Sequence, residues 1–332
     1  MTISKDSNRR ADQQLDSSES GRHPTTHPVS LESHPVCRRE YIFPTMQLEE
    51  LAARVDEWIK AGVQDAVIFA RPGMGKSLGI RYVSQHLSQQ FPDIGCVTIH
   101  AGSFPRSARG TNRSFLEKHI LEPIERAGQR FAVLWVDDSE RLDPATVDIL
   151  RRVQEETKAR KIQLLTLYVG HQRLRVLKQT RVSFASDLPT IVPAVQAEEF
   201  ELRGLRSPTE IERCLETYDN AWFPIGSDWC YTRFFLPQAY LNGFRLATHA
   251  RDLWQAFVEE GRESFPDTLT EVPMLYFART VEQALIDGAN RDHVNFTIDR
   301  ELWKSAVQQS GWREEQLFQL ATREMYGADA LC

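Results

Sequence analysis

The residues best suited to chemistry form one stretch, Ala70-Arg71-Pro72-Gly73-Met74-Gly75-Lys76-Ser77, directly after the apolar run Val67-Ile68-Phe69. An apolar strand, a glycine-bearing loop and the start of an amphipathic helix follow one another in the order of a phosphate-binding loop. Successive backbone N–H groups of such a loop converge on phosphate oxygens, and the helix N-terminus behind it favours an anion. Lys76 adds a point charge and the Ser77 hydroxyl is a ligand for Mg2+. Pro72, Gly73, Met74, Gly75, Lys76 and Ser77 are therefore the expected nucleotide-binding set. Ala70 stands where the pattern G-x-x-x-x-G-K-[ST] has its first glycine, a change that costs little at negative φ and more at positive φ.

A second group of polar residues sits where apolar runs end. Phe131–Val136 is apolar throughout, as a strand buried on both faces must be, and it ends in Asp137-Asp138-Ser139-Glu140. An acid in that place holds Mg2+ through water, which is the role expected of Asp137. Asp138 stands where a glutamate commonly polarises the attacking water and is one methylene shorter, and Glu140 is the alternative for that task. His171 follows the apolar run Gln163–Val169, at a strand end where a polar side chain can sense a γ-phosphate. In Gly243-Phe244-Arg245 the arginine opens a helix and can reach back over bound phosphates, while Arg181 is placed to act on a neighbouring subunit's nucleotide.

The elements that must position these groups alternate in type. Thr45 caps a helix with Leu48, Leu51, Ala52, Val55 and Trp58 at helical spacing. Strands are expected at 66–70, 96–100, 131–136 and 163–169, with helices between them and an edge strand at 199–202. This alternation predicts an α/β core with a parallel sheet. Beyond it the strand signals stop, and helices are expected at 208–218, 229–240, 244–260, 273–287 and 299–308. The expected division is a disordered tail over 1–40, a nucleotide-binding core over 41–203, a helical domain over 204–308, and a C-terminal tail over 309–332 that either docks a partner or packs on the helical domain.

Composition bounds the partners. The chain has 332 residues, 26% of them charged, and a net charge of −6, so nucleic-acid binding requires a local patch rather than global basicity. No apolar run is long enough to cross a membrane. The polar N-terminus has no signal-peptide core, and the five scattered cysteines lack any C-x-x-C, which points to a reducing cytoplasm. Local basic character exists at Arg106, Arg109 and Arg113, and again in nine Lys and Arg residues from Arg151 to Arg181.

Taken together, Ala70–Ser77, Asp137-Asp138, His171, Arg181 and Gly243-x-Arg245 resemble, in order and type, the site residues of the AAA+ ATPases. The helical second part is similar to an AAA+ lid. Within that class, the entry Ile42-Phe43-Pro44-Thr45, the short core, and Glu201-Leu202-Arg203-Gly204-Leu205 resemble transposition regulators of the TnsC/TniB type, and more distantly MuB. The resemblance implies ATP and Mg2+ as cofactors, and a ring or filament of identical subunits on double-stranded DNA. It also implies partners in a transposase and a target-selecting protein, and sequence-independent phosphate contact through Arg106, Arg109 and Arg113. The alternatives are an ATP-gated scaffold with little hydrolysis, and another AAA+ ATPase of DNA metabolism or mobile-element defence.

Overall fold

The computed structural model describes residues 28–91, 93–103, 117–126, 130–171, 198–264, 271–314 and 316. The expected helix at 174–178, Arg181, and the arginines at 106, 109 and 113 lie outside the described residues.

The core is built on five parallel strands: β1 (Asp65–Phe69), β2 (Ile94–His100), β3 (Phe131–Asp137), β4 (Gln163–Gly170) and β5 (Glu198–Glu201), in the spatial order β2-β3-β4-β1-β5. Alternate side chains of each strand go to opposite faces. On one face Ala66, Ile68, Val133, Trp135, Leu165 and Leu167 pack under helices α2 (Met46–Ala61) and α3 (Lys76–Gln90). On the other, Val67, Phe69, Leu134, Val136 and Tyr168 pack under α4 (Glu122–Arg126) and α5 (Pro144–Ala159). Because both faces are covered in the middle of the sheet, β1, β3 and β4 are mostly apolar, whereas the edge strand β5 is Glu198-Glu199-Phe200-Glu201. All strands being parallel, their carboxyl ends share one edge, where ligands of open α/β sheets bind.

The second unit is helical: α6 (Pro208–Asn220), α7 (Tyr231–Phe235), α8 (Pro237–Leu241), α9 (Ala250–Ser264), α10 (Met274–Ala289) and α11 (Arg300–Gln309). The fold class is the expected one, an α/β phosphate-loop core followed by an all-helical domain. One helix expected at 229–240 is two, because Pro237 has no N–H to continue the ladder and instead begins α8. Another begins later than expected, with a 3-10 turn at Leu246–His249 preceding α9. Trp312, in the expected C-terminal tail, is buried against Phe257 and Tyr276 of the helical domain.

Order also starts earlier than the composition suggests. Residues from 28 onward run over the helical domain, with a short helix α1 (Pro35–Arg38) capped by His34, whose Nδ1 accepts the Val36 N–H. The His34 side chain is fully buried among Phe223, Tyr231, Phe234 and Phe235. Burial lowers its pKa from 6.5 to about 3, so the ring is neutral. The chain then crosses to the core as a strap in which Tyr41 and Phe43 join the helical core while Ile42, between them, joins the core under α2. A second crossing follows β5. Leu205 and Val272 form an antiparallel bridge with hydrogen bonds of 2.8 and 2.7 Å, and a Cβ at Gly204 would run into the Val272 carbonyl.

Candidate nucleotide-binding site

The phosphate loop has the backbone its chemistry requires. Gly73 and Gly75 hold φ of 76° and 97°, values that suit glycine alone, so the chain turns tightly and Gly75 N-caps α3. Ala70 is not among the positive-φ residues, so alanine in place of the usual glycine carries no strain. Its N–H donates to the Gly170 carbonyl (3.1 Å), and its own carbonyl accepts the Lys76 ammonium (3.4 Å). Met74 is buried and pins the loop to the core, while Ser77 is exposed in the first turn of α3.

The acidic residues gather on the same sheet edge. Asp137, nearly buried, ends β3, which is separated from β1 by β4 alone. Strands lie about 4.8 Å apart, so the carboxylate stands roughly 10 Å from the loop-bearing strand, a gap that a hydrated Mg2+ can fill. One Asp137 oxygen accepts the Asp138 N–H (3.0 Å), and the other lies 3.3 Å from Nδ1 of His100, its register partner at the end of β2. Asp138 adopts a left-handed conformation at φ 54° and opens a 3-10 turn. Glu140 is engaged elsewhere than on a water, its Oε2 accepting the His171 N–H at 3.0 Å. Asp137, Asp138, Glu140 and His171 thus lie at the carboxyl ends of β3 and β4, with Glu140 bonded to the His171 N–H.

A cavity of about 430 Å³ opens between the phosphate loop and the helical domain, with Gly73–Leu78 forming one wall. The opposite wall is a stripe of α10, namely Leu275, Ala278, Arg279 and Glu282, at the spacing of one helical face. The first turn of α10 rests on the loop, where the Leu275 N–H donates to the Gly73 carbonyl (3.0 Å). Two helix N-termini, those of α3 and α10, therefore meet at the phosphate end, where their dipoles favour an anion. Arg71 of the loop is clamped by Glu271, which also accepts from Arg206 Nε at 3.2 Å.

The far end is closed by the strap and α6. Tyr41 and Tyr218 pair through their hydroxyls at 2.8 Å, Tyr41 donates to Glu282 Oε1 (3.2 Å), and Arg39 Nε donates to Glu282 Oε2 (3.2 Å). Burial raises the Glu282 pKa, opposed by the Arg39 charge. Burial likewise pushes both phenols above their ordinary range.

The expected role of Arg245 needs correction. Like Asp137, Asp138, Glu140 and His171, it does not line the cavity. Gly243, at φ 98°, turns the chain back after α8, so the Arg245 guanidinium lies 3.8 Å over the Tyr240 ring and donates to the Tyr240 and Phe244 carbonyls. Arg39, Arg203 and Arg279 line the cavity, and Arg279, on α10, donates through Nη1 to the Ser310 carbonyl at 3.3 Å. In the sequence it stands on a helix whose Phe277, Val281, Ala284 and Leu285 read as core, so nothing local marks it as a site residue.

No family model and no curated protein sequence matches the chain. Several solved structures are similar at low identity. The Aeropyrum pernix Orc1 protein in complex with DNA matches with a TM-score of 0.44 and 13% identity, over 80% of this chain and 66% of that one. Domain III of the Thermotoga maritima replication initiation protein DnaA matches with a TM-score of 0.44 and 10% identity, over 83% and 96%. A variant of Thermotoga maritima RuvB matches with a TM-score of 0.40 and 13% identity, over 82% and 70%. The chain thus spans just under two thirds of the Orc1 protein it matches.

Proposed function

We propose that this chain is an AAA+ ATPase that binds ATP and Mg2+ between its phosphate-loop core and its helical domain. The observation that carries this reading is the cavity whose two walls are the loop Gly73–Leu78 and the Arg279-bearing face of α10. Lys76 and the loop N–H groups hold the phosphates, Ser77 and Asp137 hold Mg2+, and Arg279 takes the place first expected for Arg245. The metal, when bound, neutralises phosphate charge and polarises the bond that breaks. Asp138 positions the attacking water, and His171 marks the phosphate-sensing strand end.

On the resemblance drawn from the sequence, the assembled ATPase is a regulator of DNA transposition. It forms rings or filaments on double-stranded DNA in the cytoplasm and links a target-selecting protein to the transposase. Arg106, Arg109 and Arg113 are the proposed phosphate contacts on DNA, and Arg181 the contact to a neighbour's nucleotide. ATP hydrolysis with and without non-specific duplex DNA, read beside electron micrographs with a slowly hydrolysed ATP analogue, tests both levels. Assemblies on DNA that vanish in Lys76→Ala and in high salt are expected. A monomer that binds ATP and ignores DNA would overturn the transposition level.

One observation favours a second reading, an ATP-gated scaffold with little turnover. Asp138 is short and left-handed, and Glu140 is committed to His171. In that case Asp138→Asn leaves the basal rate unchanged, whereas a working hydrolase loses most of it.

A further inference from the structure

The end of the cavity remote from the phosphate loop is polar without an evident structural need. Glu282 is nearly buried on α10, and Phe43, Leu48, Leu202 and Phe277 line the same cavity. A carboxylate is costly in such a place unless its oxygens are satisfied. Each oxygen takes one donor from the protein, Tyr41 on one and Arg39 on the other. A carboxylate has about four acceptor sites, so each oxygen keeps one for something that enters the cavity. The phenol pair fixes the direction of the chain of hydrogen bonds: Tyr218 donates to Tyr41 and Tyr41 to Glu282, so both phenol hydrogens are used within the protein and Glu282 is left as an acceptor, beside the Arg39 guanidinium that also lines the cavity.

Helix α10 supplies the ruler. Its first turn is bonded to the phosphate loop at Gly73, and Glu282 lies on the same face farther along. Seven residues of helix span roughly 10 Å, the order of the reach from a β-phosphate through ribose to the far edge of a base. Tyr41, Phe43 and Tyr218 border that far end with aromatic rings, against which a planar base can stack.

We propose that Glu282, held by Arg39 and Tyr41, reads the base of the bound nucleotide by accepting a hydrogen bond from an exocyclic amine N–H of a purine. This inference rests on the nucleotide reading given above. It makes Glu282 a specificity-determining residue and the strap, through Arg39 and Tyr41, part of the reader. Adenine and guanine both carry such an amine, at different ring positions, and matched pairs of ligands separate them.

The test is calorimetric titration of the full chain with four Mg2+ triphosphates. ATP and purine riboside triphosphate differ only in the 6-amino group, and GTP and inosine triphosphate only in the 2-amino group. The expected result is that the amino member of one pair binds at least tenfold more tightly. That preference should fall below about twofold in Glu282→Ala and lie between in Glu282→Gln, which keeps the side chain's shape. Which pair discriminates assigns the base. Equal binding within both pairs by the unaltered protein overturns the inference and leaves the nucleotide site standing. A preference that survives in Glu282→Ala overturns it too. Failure of all four to bind removes the nucleotide reading itself.

Discussion

The two walls of the cavity are made in opposite ways. On the core side, the residues proposed to meet the phosphates are contiguous from Gly73 to Ser77, and much of the chemistry proposed for them is main-chain. On the helical side the wall is assembled from the strap at 39–45, from Cys214 and Tyr218 on α6, and from the α10 stripe. Its chemistry is carried by side chains whose positions depend on how separate segments pack. Phosphate is common to every nucleotide, so a covalently contiguous wall with fixed geometry suits it. Discrimination needs groups that can be altered one at a time, and a packed wall provides them.

This contrast can be broken or sharpened by substitution. The largest effect is expected from Lys76→Ala, which removes the point charge from the contiguous wall. Nucleotide affinity should drop about a hundredfold, near 2.8 kcal/mol, by calorimetry. If Arg279→Ala costs as much, the two walls are equal partners and the contrast fails.

The packed wall depends on the strap, and the strap on neutral His34. Its folded pKa, about 3, lies below the ordinary 6.5, so the unfolded chain binds the extra proton. The stabilisation is complete above pH 6.5 and is lost as pH falls toward 3, by about 1.4 kcal/mol per unit. Unfolding free energies from chemical denaturation at pH 7.5 and 5 should therefore differ by about 2 kcal/mol more in the unaltered protein than in His34→Phe. Equal differences would show that this ring does not carry the dependence.

Gly204→Ala forces the new methyl against the Val272 carbonyl, and 3.2 Å from the Met74 sulfur. Overpacking there is expected to cost about 2 kcal/mol in chemical denaturation. Arg279→Ala should weaken nucleotide binding about tenfold, roughly 1.4 kcal/mol. Smallest of all, Arg245→Ala should leave affinity within about twofold, since that guanidinium serves Tyr240 and its neighbouring carbonyls. A loss as large as that of Arg279→Ala would restore Arg245 to the site.

The same contrast explains what was legible in the sequence. The loop, the mostly apolar strands and Asp137 at a strand end are local patterns, and local patterns survive in a linear string. Ala70 was readable as a departure, but the sign of its φ belongs to the backbone and emerged only from the fold. Arg245 had the expected spacing from a glycine, yet the direction in which Gly243 turns the chain decides where the side chain goes. Arg279 and Glu282 share α10 with Phe277, Val281, Ala284 and Leu285, so the helix reads as core until its neighbours are known. The order from residue 28 was hidden because a polar, proline-bearing segment has no periodicity. A single histidine in an aromatic cage anchors it.

The covalent chain passes between the two units at the strap and again at Gly204. Beside these two covalent crossings, the Leu275 N–H bond to the Gly73 carbonyl and the Arg71–Glu271 ion pair tie the helical domain to the core. The cavity borders both crossings, through Tyr41 and Thr45 at one and Leu202 and Arg203 at the other. A ligand seated there would touch both crossings at once, so the two places where the chain changes unit are also two borders of one binding space.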